Sequence, residues 1–443
     1  VTNPPLNGEL IDRDTGEVIS FNKQSDAIDA RRERFKLLDA SASVLRAFFG
    51  SNPPVKKNGL KKLHRTCDCN RVTISPTAQV LRSEEHKKAF YSGIAQCASV
   101  WTCPVCAAKI NEKKANEMRI AASQREALDL EFSLLTFTAP HTAADTIESL
   151  VPKMSNALSG WWRGAPAKRF KEKYGIIGHI RSFEIRYGEN GWHPHFHIIV
   201  VSKQKLPVTR RDTNLSRTPL PIEHQDADWS WCLERWKDMT TRAGLDCPNE
   251  YGMDIQGGEK AGEYITKFGS NGDVLKTASG DAVTWDMMDE VTKGNVKRGK
   301  KGSMSPWDLL RGIADTEDDD ERHRLRVLFL FYARAMKGVS QIKWSRGLRQ
   351  FFELEPDKSD EEIVAEQDDS AKLLCHITLS EWRYLIKSSN RATVLELAEN
   401  GGSEAVARFL FTSLYCGDFD LFYATFLSRD GGTEVLGGYT VPS

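Results

Sequence analysis

Three histidines recur at every second position in the segment Gly191–Val200, at His193, His195 and His197. The segment continues into Ile-Ile-Val-Val, a run that is typical of a β-strand. Because alternate side chains of a strand share one face, we expect the three imidazoles to point the same way, with Phe196 packed behind them. Imidazoles held side by side on a rigid strand form a seat for a divalent metal ion. Evenly spaced core histidines are the alternative interpretation.

A second strand is expected immediately before the histidine strand. Residues 177–187 and 192–201 have strand character and are joined by Gly-Glu-Asn-Gly, in which Asn-Gly is a hairpin signal. If all four residues form the loop, Glu184 faces His195, whereas a two-residue Asn-Gly turn makes it face His197. Either register places the Glu184 carboxylate beside the histidine row, as a third metal ligand or as a partner that orients an imidazole. An ordinary cross-strand surface pair is the alternative.

Two chemistries suit a His/His/carboxylate metal site on a sheet. Oxygen or hydrolytic chemistry in a small cupin-like barrel needs a further acid and a distant histidine. The sequence Ile-Ile-Val-Val-Ser-Lys-Gln-Lys after the row offers no acid at a useful spacing. Phosphodiester chemistry needs an ion that polarises the phosphate and a side chain that attacks it from a separate element. The segment Gly-Glu-Lys-Ala-Gly-Glu-Tyr-Ile-Thr-Lys lies downstream at residues 258–267.

Five of the nine cysteines lie within forty residues. Cys103-Pro-Val-Cys106 is typical of half of a zinc site, because such a turn points both thiolates at one ion. A disulfide framework is disfavoured without a secretory signal, and a redox C-x-x-C motif normally lacks additional cysteines nearby. We therefore expect a structural Zn²⁺ bound by four thiolates. Cys103 and Cys106 supply two of them, and spacing alone does not decide which residues supply the other two. The remaining candidates are Cys67, Cys69, Cys97 and, as a weaker one, His64.

Charge is distributed unevenly although the chain has a formal net charge of zero. Residues 303–443 contain 16 basic and 24 acidic side chains, whereas residues 1–302 contain 45 basic and 37 acidic ones. The basic first two thirds of the chain suit nucleic-acid binding. The acidic last third suits an acidic partner or autoregulatory segment. Ordinary surface scatter is the alternative. No run approaches the ~18 apolar residues of a membrane span, and the first residues lack a signal-peptide pattern, so we expect a cytoplasmic protein without a membrane partner.

The length of 443 residues is consistent with two to four domains. Periodicity predicts helices at residues 25–49, 107–129, 227–243 and 258–268, a helical region at 145–174, and strands at 131–138, 177–187, 192–201 and 251–256. We expect an N-terminal arm with a helix at 1–60, a zinc-binding module at 61–125, a nuclease-like domain at 126–275, a basic linker at 276–302 and a mainly helical domain at 303–443.

The ordered set of motifs resembles rolling-circle plasmid replication initiators of the HUH endonuclease superfamily. Trp-His-Pro-His-Phe-His follows Gly-Glu-Asn-Gly and precedes a helical Tyr-Ile-Thr-Lys, as in that family. Leu134–Pro140 resembles the family's first motif, Cys97–Cys106 resembles the cysteine segment before it, and Trp344–Arg349 resembles a segment of its longer members. The resemblance covers roughly residues 65–350 in the expected order.

The resemblance implies an α+β fold with a central antiparallel sheet, the histidine strand in its middle, and helices on one face. It implies that His195 and His197 are the metal-binding pair for Mn²⁺ or Mg²⁺, with Glu184 as the preferred third ligand and His193 as an additional histidine near the ion. Tyr264 would be the nucleophile that forms a 5′-phosphotyrosine and releases a 3′-OH primer.

The tyrosine segment departs from some relatives. They carry a glutamate four residues before the tyrosine, where this chain has Lys260. Lys260 and Lys267 share the Tyr264 helix face, where cations favour the phenolate and attract the phosphate. The base that ends the reaction is therefore open. The candidates are Glu259, Glu263 and a second tyrosine, Tyr251.

DNA binding is expected to use a basic groove with stacking aromatic rings. A core anchor is the alternative role for the adjacent Trp161 and Trp162. The expected partners are single-stranded or hairpin origin DNA and, by resemblance alone, a host helicase and DNA polymerase. A relaxase, a transposase and a non-enzymatic zinc-ribbon DNA-binding protein are the alternative functions. The candidate DNA-binding residues are Trp161, Trp162, Arg163, Lys168, Arg169, Lys171, Arg210, Arg211, Lys260 and Arg298.

Overall fold

The protein is seen in a computed structural model that describes residues 7–11, 18–48, 63–211, 218–257, 303–366 and 369–429. The chain divides into two compact units. The cysteine unit comprises residues 1–107 together with 360–443, and the histidine unit comprises residues 108–359. This division differs from the consecutive segments expected from the sequence, because the residues after 360 join the N-terminal part instead of forming a domain of their own.

Both units contain helices and strands. In chain order they are β1 (Asn7–Ile11), β2 (Val18–Asn22), α1 (Lys23–Phe48), β3 (Ala78–Ser83), β4 (Ala89–Ser92), α2 (Pro104–Ser123), β5 (Glu131–Thr138), α3 (Ile147–Trp161), α4 (Gly164–Tyr174), β6 (Ile176–Gly188), β7 (Gly191–Ser202), α5 (Ala227–Arg242), β8 (Met253–Gly257), β9 (Ser303–Met304), α6 (Pro306–Asp315), α7 (Asp319–Ala335), β10 (Ile342–Trp344), α8 (Leu348–Phe351), α9 (Asp360–Ala365), β11 (Ala371–Ile377), α10 (Leu379–Lys387), α11 (Arg391–Leu414) and α12 (Phe419–Leu427).

An antiparallel sheet forms the centre of the histidine unit, with strand order β10-β6-β7-β5-β8 and β9 paired to the end of β6. β7, which carries the three histidines, is the middle strand of this path. The mixed α/β architecture with antiparallel sheets agrees with the expected fold class. The strands expected at 131–138, 177–187, 192–201 and 251–256 correspond to β5, β6, β7 and β8.

Different side chains pack on the two faces of this sheet. On one face Phe183 and Phe196 pack together, and Phe137 contacts Trp161 of α3 and Trp236 of α5 at ring-centroid distances of 5.2 and 4.9 Å. The other face carries the histidines. Because strand side chains alternate, Phe196 lies behind the histidine row as expected. Farther along that second face an apolar cluster forms, which includes Met118, Leu134, Ile180, Ile199, Leu348 and Phe352.

The β6–β7 hairpin has a two-residue turn at Glu189 and Asn190, with Gly188 paired to Gly191. This pairing confirms the register in which Glu184 lies opposite His195. Gly191 has φ +85°, a left-handed conformation that favours glycine. A Cβ atom at this position would also lie 3.1 Å from the Thr142 carbonyl oxygen. A glycine at this position therefore suits both the backbone conformation beside the turn and the close approach of the loop that follows β5.

The cysteine unit contains a three-stranded sheet of order β11-β3-β4, so its middle strand pairs with a strand from the far end of the chain. Arg391 is fully buried, donates to the Asn70 carbonyl oxygen at 2.8 Å and forms an ion pair with Asp39. A second buried ion pair joins Glu381 and Arg429. These pairs satisfy charges that would otherwise be costly to bury.

Several elements differ from the sequence expectations. The N-terminal arm, for which only a helix was expected, also includes the antiparallel pair β1 and β2. The region after residue 303 is mainly helical as expected, but β10 and β11 join sheets. The helix expected at 258–268 and the linker at 276–302 lie outside the described residues. Among the helices that are described, none combines the length and apolar character needed to cross a membrane.

Candidate functional site

Glu184, His195 and His197 bring three possible metal ligands together on the open face of the central sheet. Oε2 of Glu184 lies 3.1 Å from Nε2 of His195 and 3.5 Å from Nε2 of His197. The three side chains are almost fully buried. The cross-strand pairing of β6 with β7 produces this convergence, because residues opposite one another project from the same face.

The ligand separations fit a single small divalent ion. Two atoms bound about 2.1 Å from one ion at angles of 90–110° lie about 3.0–3.4 Å apart. The distances of 3.1 and 3.5 Å from Glu184 to His195 and His197 are close to this range. Two imidazoles and one carboxylate suit Mn²⁺ and related transition metals, and leave coordination positions open for substrate.

The Glu184 carboxylate is held as an anion. Burial raises the pKa of Glu184 and so opposes ionisation. The opposing effects are stronger and hold this pKa well below its usual range. They are the charge of His195, hydrogen bonds from His195 and His197, and the charge of Arg186. Arg186 donates from Nε to Oε1 of Glu184 at 2.6 Å, which leaves Oε2 directed at the histidines. Arg186 thus orients the carboxylate whose other oxygen faces the candidate metal position.

Each histidine of the row uses one ring nitrogen for a protein contact. Nδ1 of His197 is 3.1 Å from Oγ1 of Thr136, and Nδ1 of His195 is 3.4 Å from the carbonyl oxygen of His193. In both rings Nε2 remains directed at Glu184. His193 differs, because its Nε2 lies 3.1 Å from Oγ1 of Thr138. His193, expected as an additional histidine near the ion, therefore lies outside the converging ligand group.

A cavity of about 380 Å³ opens beside the candidate metal ligands. His195 belongs to both the ligand group and the cavity wall, so the cavity and the metal position are continuous. Burial, followed by the neighbouring His195 and His141, lowers the pKa of His193 to about 3. Besides imidazole rings, the wall offers the guanidinium of Arg186, the carboxylate of Glu189 and hydrogen-bonding groups such as the Asn190 amide to an incoming ligand. It is formed by His141, Arg186, Gly188, Glu189, Asn190, Gly191, His193, His195 and Ser303.

The cysteine unit contains a second converging group, formed by Cys69, Cys97, Cys103 and Cys106. Sulfur–sulfur distances are 3.6 Å for Cys69–Cys103, 3.5 Å for Cys69–Cys106 and 3.8 Å for Cys97–Cys106. Four sulfurs about 2.3 Å from a tetrahedral zinc ion lie about 3.8 Å apart, so the cluster fits such an ion. The separations are too long for disulfide bonds.

N–H groups around the cluster are directed at the sulfurs. Backbone N–H groups of Cys97 and Cys106 donate to Sγ of Cys69 and Cys103, both at 3.4 Å, and the Asn70 amide donates to Sγ of Cys69 at 3.3 Å. Such donors stabilise metal-bound thiolates. Burial and the neighbouring thiols raise the pKa of Cys103 well above its usual value. Four ionised thiolates therefore require a cation here.

Cys67 lies outside this group. Its Sγ contacts the Ala42 carbonyl oxygen at 3.7 Å, and burial raises the pKa of its thiol. His64 is also used elsewhere, because Nδ1 accepts a hydrogen bond from the Thr66 backbone N–H at 3.3 Å. Spacing alone could not choose between Cys67 and Cys97, since only the folded loops bring the Cys97 sulfur to the Cys103–Cys106 turn.

The two tryptophans expected to stack on DNA have structural contacts. Trp161 is 1% exposed, packs against Phe137 and Phe170, and donates from its indole N–H to the Cys232 carbonyl oxygen. This burial corrects the expected DNA-stacking role of Trp161 and favours the core-anchor interpretation. Trp162 is half-buried, and one ring face is covered by the imidazole of His179, with centroids 4.3 Å apart and planes 2° from parallel.

The basic residues in and next to α4 that were expected to bind DNA lie on the surface. Arg163, Lys168 and Arg169 are exposed. Lys171 instead donates to the Trp162 carbonyl oxygen at 3.2 Å. Arg210 is exposed, and Arg211 forms an ion pair with Asp254 of β8. Asp254 lies on the same cross-strand row as Thr136 and His197 and was not among the expected site residues. The two-residue period of the strand is the sequence signal that could have indicated it.

The catalytic segment expected after β8 lies outside the described residues. Of the open candidates for the terminating base, Tyr251 is described and is 57% exposed. The positions that cannot be placed are Tyr264, Lys267, Glu259, Glu263, Lys260 and Arg298. Among described residues, the Trp344–Arg349 segment has a structural role. Trp344 pairs with Ile180 of β6, and Arg349 binds both carboxylate oxygens of Glu117 at 2.8 and 2.9 Å.

Similarity to curated proteins is moderate. The chain is 26% identical over 332 residues to a "Protein rep" from Streptomyces lividans, covering 65% of this chain and 71% of that protein. It is 28% identical over 170 residues to a "Neomycin resistance protein" from Streptomyces cyanogenus, covering 33% of this chain and 38% of that protein. No protein-family model and no solved structure matches the chain.

Proposed function

We propose that this protein is a plasmid rolling-circle replication initiator that nicks and rejoins single-stranded DNA in the manner of HUH endonucleases. The observation that carries the proposal is the convergence of Glu184, His195 and His197 on the middle of an antiparallel sheet. The similarity to a replication protein over 332 residues supports the biological role. A zinc-ribbon DNA-binding protein without enzymatic activity would leave this convergence unexplained.

Glu184, His195 and His197 would hold Mn²⁺ or Mg²⁺, which polarises the scissile phosphate when bound. Arg186 holds the Glu184 carboxylate and also lines the adjoining cavity. A guanidinium beside a reacting phosphate stabilises the charge that develops during phosphoryl transfer. In this proposal the cavity of about 380 Å³ receives the nucleotide next to the scissile phosphate.

Tyr264 is the proposed nucleophile. β8 begins at Met253, opposite Phe137 near the metal-binding end of the sheet, and ends at Gly257, opposite Ser133. Returning along four strand residues requires about 13 Å. The expected helix rises about 10 Å over the seven residues from Gly257 to Tyr264, and the tyrosine side chain extends this reach. Chain length therefore allows the tyrosine to reach the histidine face.

The proposed reaction exchanges one phosphoester for another. The phenol of Tyr264 loses its proton as its oxygen bonds to phosphorus, and the bond from phosphorus to the 3′ oxygen breaks. The leaving oxygen takes up a proton and becomes the free 3′-OH primer, while the 5′ phosphate remains on the tyrosine. Lys260 and Lys267 would favour the phenolate, and Glu259, Glu263 or Tyr251 would serve the later termination step.

DNA outside the reacting phosphate would be bound by charge. Arg163, Lys168 and Arg169 are exposed on one segment of the histidine unit and suit contacts to a phosphate backbone. Lys260 and Arg298 are proposed to add to this surface. Cys69, Cys97, Cys103 and Cys106 would hold a structural Zn²⁺ that stabilises the cysteine unit.

Adduct formation on DNA tests the proposal. The full chain is incubated with Mn²⁺ and a tiled set of single-stranded hairpin oligonucleotides labelled at the 3′ end, because the 3′ fragment stays on the protein. We expect a labelled protein band that is absent with EDTA and with Tyr264→Phe. The matched control Tyr384→Phe, a change in the cysteine unit, should still form it. An adduct from Tyr264→Phe overturns the nucleophile, and the absence of any wild-type adduct on all hairpins overturns the enzyme class.

A further inference from the structure

We propose that Thr136 is a positioning residue that fixes the His197 imidazole with Nε2 toward the metal, whereas Thr138 holds His193 out of the coordination sphere. The inference rests on the proposed metal site and assigns separate roles to the two threonines of β5. Thr136 and Thr138 lie on the same strand, two residues apart, and therefore project from the same face as the histidines.

The register of β5 against β7 places each hydroxyl beside one imidazole. Thr136 is directly opposite His197, and its Oγ1 is 3.1 Å from Nδ1 of that ring. Thr138 is opposite His195 but reaches diagonally to His193, where its Oγ1 is 3.1 Å from Nε2. The two contacts have the same length but involve opposite ring nitrogens.

The choice of nitrogen decides which histidine can bind metal. A neutral imidazole has one N–H and one lone pair, so a ring that binds metal through Nε2 must carry its proton on Nδ1. Oγ1 of Thr136 is placed to accept that Nδ1–H from His197. The His193 carbonyl oxygen can accept the corresponding proton from His195 at 3.4 Å. When a metal ion replaces the proton between Nε2 and Glu184, these acceptors would hold both ligands in the metal-binding tautomer.

His193 is fixed in the opposite orientation. Its Nε2 is engaged by Thr138, and its ring packs edge-on against His141 with centroids 4.7 Å apart. A third imidazole two residues from a ligand would otherwise compete for the ion and occupy a position needed by the substrate. The alternating threonines therefore separate two metal ligands from a histidine that lines the cavity.

Matched threonine variants test this assignment. Mn²⁺ binding to the full chain without DNA is measured by calorimetric titration for Thr136→Val, Thr136→Ser and Thr138→Val. Loss of a partner that orients a ligand weakens metal binding by about 10–100-fold. We expect this loss for Thr136→Val and recovery of most of the affinity for Thr136→Ser. Thr138→Val should cause no loss, because it frees His193 to approach the ion without disturbing His195 or His197. In nitrogen NMR spectra, Thr136→Val should also reduce the Nδ1-protonated tautomer of His197.

The outcomes separate this inference from the proposed function. If wild type binds Mn²⁺ and Thr136→Val binds it equally well, or if both valine variants lose the same affinity, the positioning role is overturned while the metal site stands. If wild type binds neither Mn²⁺ nor Mg²⁺, the metal site and the inference fail together. An unchanged urea-unfolding curve in each variant shows that the chain has kept its fold.

Discussion

Oε2 of Glu184 lies 3.1 Å from Nε2 of His195 because the two-residue turn of the β6–β7 hairpin sets these residues directly opposite each other. A one-residue shift in register would move Glu184 to the opposite face of the sheet, among the phenylalanines. The geometry of the candidate metal centre is therefore determined by the turn, which also requires the left-handed conformation of Gly191.

Glu184→Gln should weaken Mn²⁺ binding by more than about 100-fold, because it removes the anionic ligand but keeps the side-chain size. Titration with Mn²⁺ measures the effect on the isolated full chain. Glu189→Gln is the control, since Glu189 lies exposed in the turn of the same hairpin. Equal affinities for Glu184→Gln and wild type would exclude Glu184 as a ligand.

Cys69→Ser should lose most of the zinc that copurifies with the chain, whereas Cys67→Ser should retain about one ion per chain. The reason is geometric, because Cys69 lies within 3.6 Å of two other sulfurs and Cys67 contacts a carbonyl oxygen. Metal analysis by mass spectrometry after purification without chelators provides the measurement. Zinc retention by Cys69→Ser together with zinc loss by Cys67→Ser would reverse the ligand assignment.

Trp161→Ala should lower the free energy of unfolding by about 3–5 kcal/mol, as expected for truncating a large buried aromatic side chain. Arg163→Ala, two residues away and exposed, should change stability little and weaken binding of single-stranded DNA. Urea unfolding and fluorescence anisotropy measure the two properties. The assignments would be wrong if Arg163→Ala were the destabilising change and Trp161→Ala only weakened DNA binding.

His179 should make stability sensitive to acid. Burial, with Lys171 and Arg181, lowers its pKa from 6.5 to about 4. Below about pH 6.5 the histidine takes up a proton in the unfolded chain but not in the folded chain. The free energy of unfolding that this histidine contributes above pH 6.5 is therefore lost as the pH falls toward 4. His179→Phe keeps an aromatic ring against Trp162 and should reduce this loss.

Urea unfolding at pH 7.5 and at pH 5 compares His179→Phe with wild type. His224→Gln is the control, because His224 is an exposed histidine of the same unit. If the free energy of unfolding changes equally with pH in His179→Phe and wild type, the lowered pKa assigned to His179 is wrong.

The convergence of Glu184 with His195 and His197 could be predicted from the sequence because the residues that indicate it lie close together in the chain. An alternating row on a strand and a nearby hairpin signal leave two registers, and both place Glu184 beside the histidines. The periodic elements around them were also located, with β5 at the expected residues. The roles of Thr136 and Thr138 were missed because only the pairing of β5 with β7 shows which imidazole each hydroxyl meets.

Long-range contacts explain what the sequence did not reveal. Trp161 and Trp162 have the same residue type, but tertiary packing buries the first and stacks the second on His179. Likewise, no local pattern near residue 371 indicates that β11 pairs with β3. Segment boundaries drawn along the chain therefore separated parts that belong to one folded unit.

That discontinuity has a consequence for synthesis on the ribosome. Ser83 and Ser370 meet across 287 residues, which take about 15–60 s to translate. During this time the edge of β3 that β11 covers has no partner from its own chain, and such edges invite pairing with other polypeptides. A product that ends between residues 359 and 371 would contain all residues of the histidine unit but lack the strand that closes the other sheet.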